Sequence, residues 1–196
     1  MIRPLILISL LSISTLASAV NRSSLEYYLR DTNIRVADDQ DGTSILLWTD
    51  EIFEEPASPV LAIEQYPALD KMKNVVLDND DVAIAITGHT DSIMPPHKRY
   101  EVSYMYAQAI ANYLVSAGVN PERIHKVSGE ADTLPMARHA TLEGRHVNRR
   151  VEVTFLRETP AMKSQYVHGT YELPAGSLLD DHEREERQEY YKGMKK

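Results

Sequence analysis

The sequence predicts an α/β fold in which helices cover a β-sheet, and three observations carry that expectation. Short runs of apolar and β-branched residues recur between turn signals, as in SILLWT at 44–49, VAIAI at 82–86 and RVEVTFL at 150–156. Two longer stretches, near residues 67–78 and 100–117, instead space their apolar residues three and four apart, as one face of a helix requires. A chain of 196 residues with 43% hydrophobic and 26% charged residues can bury one sizeable core and has little material for a second.

In chain order, residues 1–19 place Arg3 before an apolar run and close on Ala17-Ser18-Ala19. They read as a secretory signal peptide cleaved after Ala19, with an uncleaved anchor as the alternative, because a bilayer span takes about 20 apolar residues. Residues 20–43 are polar and mixed in charge, with Leu25, Tyr27, Tyr28, Leu29 and Ile34 as the possible anchors. An extended, loosely packed arm is expected there, or a docking element centred on Tyr27-Tyr28-Leu29. Asp41-Gly42 is a turn signal, so residues 44–49 form the first strand of the domain. Pro67 suits the first turn of a helix that carries Leu69, Met72 and Val76 up to Asp78 and covers one face of the sheet. Asn79-Asp80-Asp81 ends it, and residues 82–86 read as a central strand buried on both faces.

Pro95-Pro96 sets the start of the next helix near Tyr100, with Glu101 at the positive end of its dipole. Val102, Tyr106, Ile110, Tyr113, Leu114 and Ala117 then lie on one broad stripe, and Gly118 supplies the left-handed residue after it. Residues 123–128 form a third strand. Residues 131–147 have little periodicity, and residues 150–156 alternate Val151, Val153 and Phe155 in strand fashion. The domain is expected to span 44–158, followed by a charged tail over 159–196.

The stretch 83–117 organises the rest. Gly88-His89-Thr90-Asp91 ends a strand, a loop with two prolines follows, and a long helix begins. Such a junction gathers a carboxylate, loop amides and a helix N-terminus around one small volume, which suits a polar ligand. Asp91 is the first site candidate, although Thr90 and Asp91 also suit the plain task of ending a strand and fixing a turn.

Other chemistries are poorly supplied. A formal net charge of −8 argues against nucleic acid, which demands a concentrated basic face. The absence of cysteine removes disulfides, thiolate metal sites and thiol catalysis. The seven histidines form no HExxH or HxH pair, and no GxSxG elbow or Walker-type glycine loop occurs. No enzyme activity, metal or cofactor is expected, and the strands do not read as a membrane β-barrel.

GHTD at a strand end, Val102-Ser103 followed by Ala107, Ile110 and Leu114, SGE at 128–130 and NRRVEV at 148–153 together resemble the OmpA-like C-terminal domain, over about residues 44–156. The resemblance implies a two-layer α/β sandwich of order βαβα(β)β, helices packed on a mixed sheet. It also implies non-covalent binding of peptidoglycan through the diaminopimelate of the stem peptide, whose free end is a zwitterion. In the family an Asp of the TD motif takes the ammonium, which Asp91 matches. An Arg just before the Ala that matches Ala107 takes the carboxylate, and here that position holds Tyr106. A phenol offers one neutral hydrogen bond where guanidinium offers a forked, charged pair.

The expected ligand set is therefore Thr90, Asp91, Arg99, Val102, Ser103, Tyr106, Arg149 and Arg150. Arg99 or Lys98 either reaches in to replace the missing cation or belongs to a solvated loop. Tyr106 either substitutes for it or packs at the core edge. Arg149 and Arg150 either border the pocket or brace the sheet edge against acids such as Asp91 or Glu130. The implied function is a non-catalytic module in the periplasm of a Gram-negative bacterium, associated with the cell wall or outer membrane, with no membrane span after signal cleavage. It would link peptidoglycan to other envelope proteins such as a secretion-system core complex. The alternative is a structural subunit of such a machine whose peptidoglycan binding is weakened or lost.

Overall fold

The computed structural model of the chain describes residues 20–157, so the expected signal peptide and charged tail lie outside the described residues. In chain order the elements are α1 (Arg22–Leu29), β1 (Arg35–Asp38), β2 (Gly42–Trp48), the single turn α2 (Thr49–Ile52), α3 (Tyr66–Asp78), β3 (Ile84–Gly88), α4 (Pro96–Ser116), β4 (Ile124–Gly129), α5 (Leu142–Asn148) and β5 (Arg150–Leu156). The five strands form one mixed sheet of order β1-β2-β5-β3-β4, in which only β3 and β4 run parallel. A parallel pair needs a long crossover, and α4 supplies it. From β2 onward the expected βαβα(β)β order and two-layer architecture hold.

Register places Ile45, Val153 and Ile86 side by side across β2, β5 and β3, with Thr43, Phe155 and Ile84 in the next such row. The apolar members of these rows meet Leu69, Met72 and Val76 of α3 and Ile110 and Leu114 of α4 in one core. Alternate residues point to the opposite face, where Ser44 bonds Thr154 at 2.8 Å and Ala85 and Thr87 are only half-buried. The expectation of a β3 buried on both faces is thus corrected: alanine counts as apolar and hides a period-two pattern. Arg123 ties the α3 end to β3 by donating to the carbonyls of Val76, Asn79 and Val82 at 2.5–3.1 Å, which satisfies carbonyls at the helix end that have no partner within it.

Three further expectations change. The arm over 20–43 is packed: Asn21 caps α1 by accepting from the Ser23 amide at 2.8 Å, Leu25 and Leu29 one turn apart enter the core with Ile34, and β1 pairs antiparallel with β2. Tyr27 and Tyr28 stay exposed, and the Arg30 guanidinium sits 4.1 Å from the centre of the Tyr27 ring. Helix α4 starts at Pro96 rather than near Tyr100, because a proline needs no amide partner in the first turn and its fixed φ is already helical. The stretch 131–147 carries all but the last residue of α5, which Thr141 caps by accepting from the Gly144 amide at 3.0 Å; only Gly144 and Asn148 of the helix are buried, so it carries no apolar period to read.

Candidate functional site

Three chain segments meet at one end of the sheet because of its register. β2 and β5 are antiparallel with Trp48 opposite Arg150, and β3 and β5 are antiparallel with Gly88 opposite Val151. The residues just after β2, just after β3 and just before β5 are therefore neighbours. Backbone bonds lock them: Thr49 donates to the Arg149 carbonyl at 3.0 Å, His89 to that of Arg150 at 2.8 Å, and Thr90 to that of Ala131 at 2.8 Å. Helix α4 lies hard against this corner. A Cβ on Gly88 would fall 1.8 Å from the Ser103 carbonyl oxygen, and one on Gly129 would fall 2.4 Å from the Tyr104 nitrogen, so only glycine permits the approach.

Asp91 sits in this corner, 1% exposed. Its Oδ1 accepts from the Ile93 amide at 3.0 Å, an Asx turn that shapes the loop, and its Oδ2 accepts from Arg149 Nη1 at 2.6 Å. Arg149 is itself held from the other side by Asp50, which accepts from Nε at 2.8 Å and from Nη2. His146 Nδ1 lies 3.0 Å from Asp50 Oδ2, and its Nε2 lies 3.8 Å from Glu51 Oε1. One guanidinium thus bridges two carboxylates, and the chain of charges runs from buried Asp91 out to the partly exposed Asp50 and His146.

The Asp50 carboxyl is pulled two ways. Burial raises its pKa, while the hydrogen bonds and charges of Arg149 and His146 outweigh burial and hold it below the usual carboxylate value. The hydrogen bond to Asp50 raises the His146 pKa against burial and the Arg149 charge, with Glu51 adding to the rise.

The other expected site residues have definite tasks. Arg99 donates to the carbonyls of Met94 and Ser92, each at 2.6 Å, and to Asp132 at 2.7 Å, so it pins the loop between β3 and α4. Lys98 is 4.0 Å from Glu101. Tyr106 is buried, its ring lying 4.5 Å from that of Phe53 and its hydroxyl accepting from the Ala57 amide at 2.6 Å. Ser103 Oγ donates to the Tyr100 carbonyl at 2.9 Å and accepts from the Ala131 amide at 3.1 Å, and Val102 belongs to the core. Arg150 donates to Glu152 at 2.7 Å and to the Leu134 carbonyl at 3.1 Å.

His89 and the Thr90 hydroxyl are buried, and among the described residues no hydrogen bond reaches the side chain of either. Burial, helped by the nearby Arg150 charge, pushes the His89 imidazole down to about 3, so it is neutral; Glu152 at 3.6 Å is engaged by Arg150 instead.

The structure brings Thr90, Asp91 and Arg149 together at the corner. It commits Tyr106 to the loop after α2 and Arg99 to the loop before α4. Asp50 and the pairing of His146 were missed from sequence, although Asp50 directly follows a strand and Arg149 directly precedes one, a signal that becomes readable once those two strands are paired.

A model of the OmpA family matches residues 55–149, which include the GHTD motif, α4 and α5. Residues 55–149 are an OmpA family domain. Over 71 residues the chain is 42% identical to outer membrane porin F of Pseudomonas fluorescens, covering 36% of this chain and 22% of that protein. Over 88 residues it is 34% identical to the peptidoglycan-binding protein ArfA of Mycobacterium tuberculosis, covering 45% of this chain and 27% of that protein. The OmpA-like fold is also that of the cell wall anchor of the T6SS from Pseudomonas aeruginosa, with a TM-score of 0.60, 29% identity, and coverage of 70% of this chain and 100% of that one. The chain therefore spans about a quarter of the length of these two curated relatives. Among the described residues no helix is long and apolar enough to cross a membrane.

Proposed function

We propose that this chain is a non-catalytic periplasmic module that binds peptidoglycan through the diaminopimelate of its stem peptide and ties an envelope assembly to the cell wall. The observation that carries the reading is a buried pair of opposite charges, Asp91 and Arg149, at the strand exit of an OmpA family domain. A zwitterionic ligand end needs one carboxylate and one cation side by side, and this corner holds both. In this reading Asp91 takes the ammonium, and Arg149 takes the carboxylate that the phenol of Tyr106 cannot grip. The similarity to ArfA and to the T6SS cell wall anchor supports the cell wall as partner and a secretion assembly as the kind of machine it serves.

One observation favours a second reading, a structural subunit that keeps the fold with reduced cell-wall binding. Asp91 is sealed under Arg149, and the Tyr106 hydroxyl is already occupied by the Ala57 amide. Sedimentation with insoluble peptidoglycan separates the two. Binding by the native chain that falls at least tenfold in Asp91→Ala supports the binder, whereas a native chain that stays in the supernatant leaves only the structural subunit.

A further inference from the structure

We propose that His146 is a proton-operated latch between the domain and the arm that precedes it. Charged, it holds Asp50 with one ring nitrogen and Glu51 with the other, and Glu51 holds Asn33 in the turn between α1 and β1. Neutral, it keeps Asp50 and releases Glu51, and the turn loosens. The latch is independent of what the strand-exit corner binds.

The geometry that suggests it is the placing of both ring nitrogens against carboxylates. His146 Nδ1 lies 3.0 Å from Asp50 Oδ2, and Nε2 lies 3.8 Å from Glu51 Oε1. Both nitrogens carry a hydrogen only in the imidazolium, so only the charged ring can serve both carboxylates. The charged groups facing the ring are Asp50 and Glu51 of α2, which favour the proton, chiefly through the hydrogen bond to Asp50, and Arg149 just before β5, which opposes it. Trp48 of β2 adds an uncharged ring with its centre 5.9 Å away.

Glu51 carries the state of the ring to the arm. Its other oxygen, Oε2, accepts from Asn33 Nδ2, which also donates to Gln65 Oε1 at 3.3 Å, just before α3. When the ring loses its proton, the closer Asp50 keeps the remaining hydrogen on Nδ1. A bare Nε2 then faces Glu51 Oε1, two acceptors with no proton between them. Glu51 is partly exposed, so it is left with one neutral holder and regains rotamer freedom toward water. The turn has room to move, because Asp31, Thr32 and Asn33 line an open cleft of about 300 Å³ whose far side is Gln65, Pro67 and Lys71. Leu25, Leu29 and Ile34 stay buried and β1 stays paired with β2, so the latch loosens the turn without detaching the arm.

Trp48 is the single tryptophan of the chain, and a protonated imidazole quenches indole emission more than a neutral one, so fluorescence reads the charge of His146. The native chain is expected to brighten as pH rises, with a midpoint above 6.5. The step should vanish in His146→Gln and move to lower pH in Glu51→Gln. The latch itself is read by a double-mutant cycle in urea unfolding between Asn33→Ala and His146→Gln, run at about pH 5.5 and about pH 9. The expected coupling is about threefold in the folding constant at the lower pH and under about 1.3-fold at the higher. Coupling of the same size at both pH values overturns the latch, since the contact would then be indifferent to the proton. Absence of coupling at both overturns it too, as does a Glu51→Gln chain with an unmoved midpoint. A native chain whose emission shows no step above 6.5 overturns it without any variant, because His146 would then lack the proton that two facing carboxylates require.

Discussion

Tyr106 and Ser103 stand one turn apart on α4, and each accepts the amide of an alanine in the left-handed region. Ala57 has φ of 56° and gives its N–H to Tyr106; Ala131 has φ of 52° and gives its N–H to Ser103. A non-glycine residue held there costs about 1–2 kcal/mol, so the loops before α3 and after β4 keep these shapes because α4 supplies an acceptor to each. The substitution that removes a cation from the ligand side thus has a structural task of its own. Tyr106→Phe keeps the ring against Phe53 and removes only the acceptor, leaving the Ala57 amide without its partner. We expect a loss of about 1–2 kcal/mol in urea unfolding, with an unchanged denaturant slope. A loss under about 0.3 kcal/mol would mean that water replaces the hydroxyl and that the loop does not depend on it. The departure at Tyr106 was legible from the resemblance. Its partner was not, because Ala57 lies 49 positions away and nothing in an alanine announces a left-handed backbone.

At the scale of elements, what could be read was what repeats. Strands β2, β3 and β5 and helices α3 and α4 carry enough apolar residues at period two or 3.6 to be placed within a few positions. α1, β1 and α5 do not. A helix of eight residues with two buried leucines and a strand of four residues lack a period long enough to exceed the polar background, and both draw their stability from packing rather than propensity. The packing makes the arm testable. Leu29 is 1% exposed, so Leu29→Ala should cost about 2–5 kcal/mol, whereas Tyr27→Ala at 70% exposure should stay within about 0.5 kcal/mol. Thermal unfolding of the two variants decides it, since a loosely attached arm would make both changes silent.

On the scale of the whole molecule, the candidate site is a product of strand order. Asp91 was legible because its motif is local, and Arg149 because NRRVEV marks a strand start. Asp50 was not, because only the pairing of β2 with β5 sets it against Arg149, 99 positions later in the chain. The same convergence gives the fold a pH dependence with two opposite signs. His89 is buried neutral, its pKa pushed from 6.5 down to about 3. Between those values the unfolded chain binds a proton that the folded chain refuses. The contribution of His89 is complete above about 6.5 and falls as pH drops toward about 3, at about 1.4 kcal/mol per pH unit. His146 behaves oppositely: its raised pKa gives a contribution present below the unfolded value and lost as pH rises through the folded one. Asp50, with a pKa lowered from 3.8, weakens the fold only in stronger acid, so the window from about pH 4.5 to 6 isolates His89. Urea unfolding stepped through that window should show stability rising with pH in the native chain, and His89→Gln should flatten the rise by about one proton's worth. Parallel slopes in the two chains would mean that His89 takes up its proton while folded, against Glu152, and that the corner tolerates a charge despite its burial.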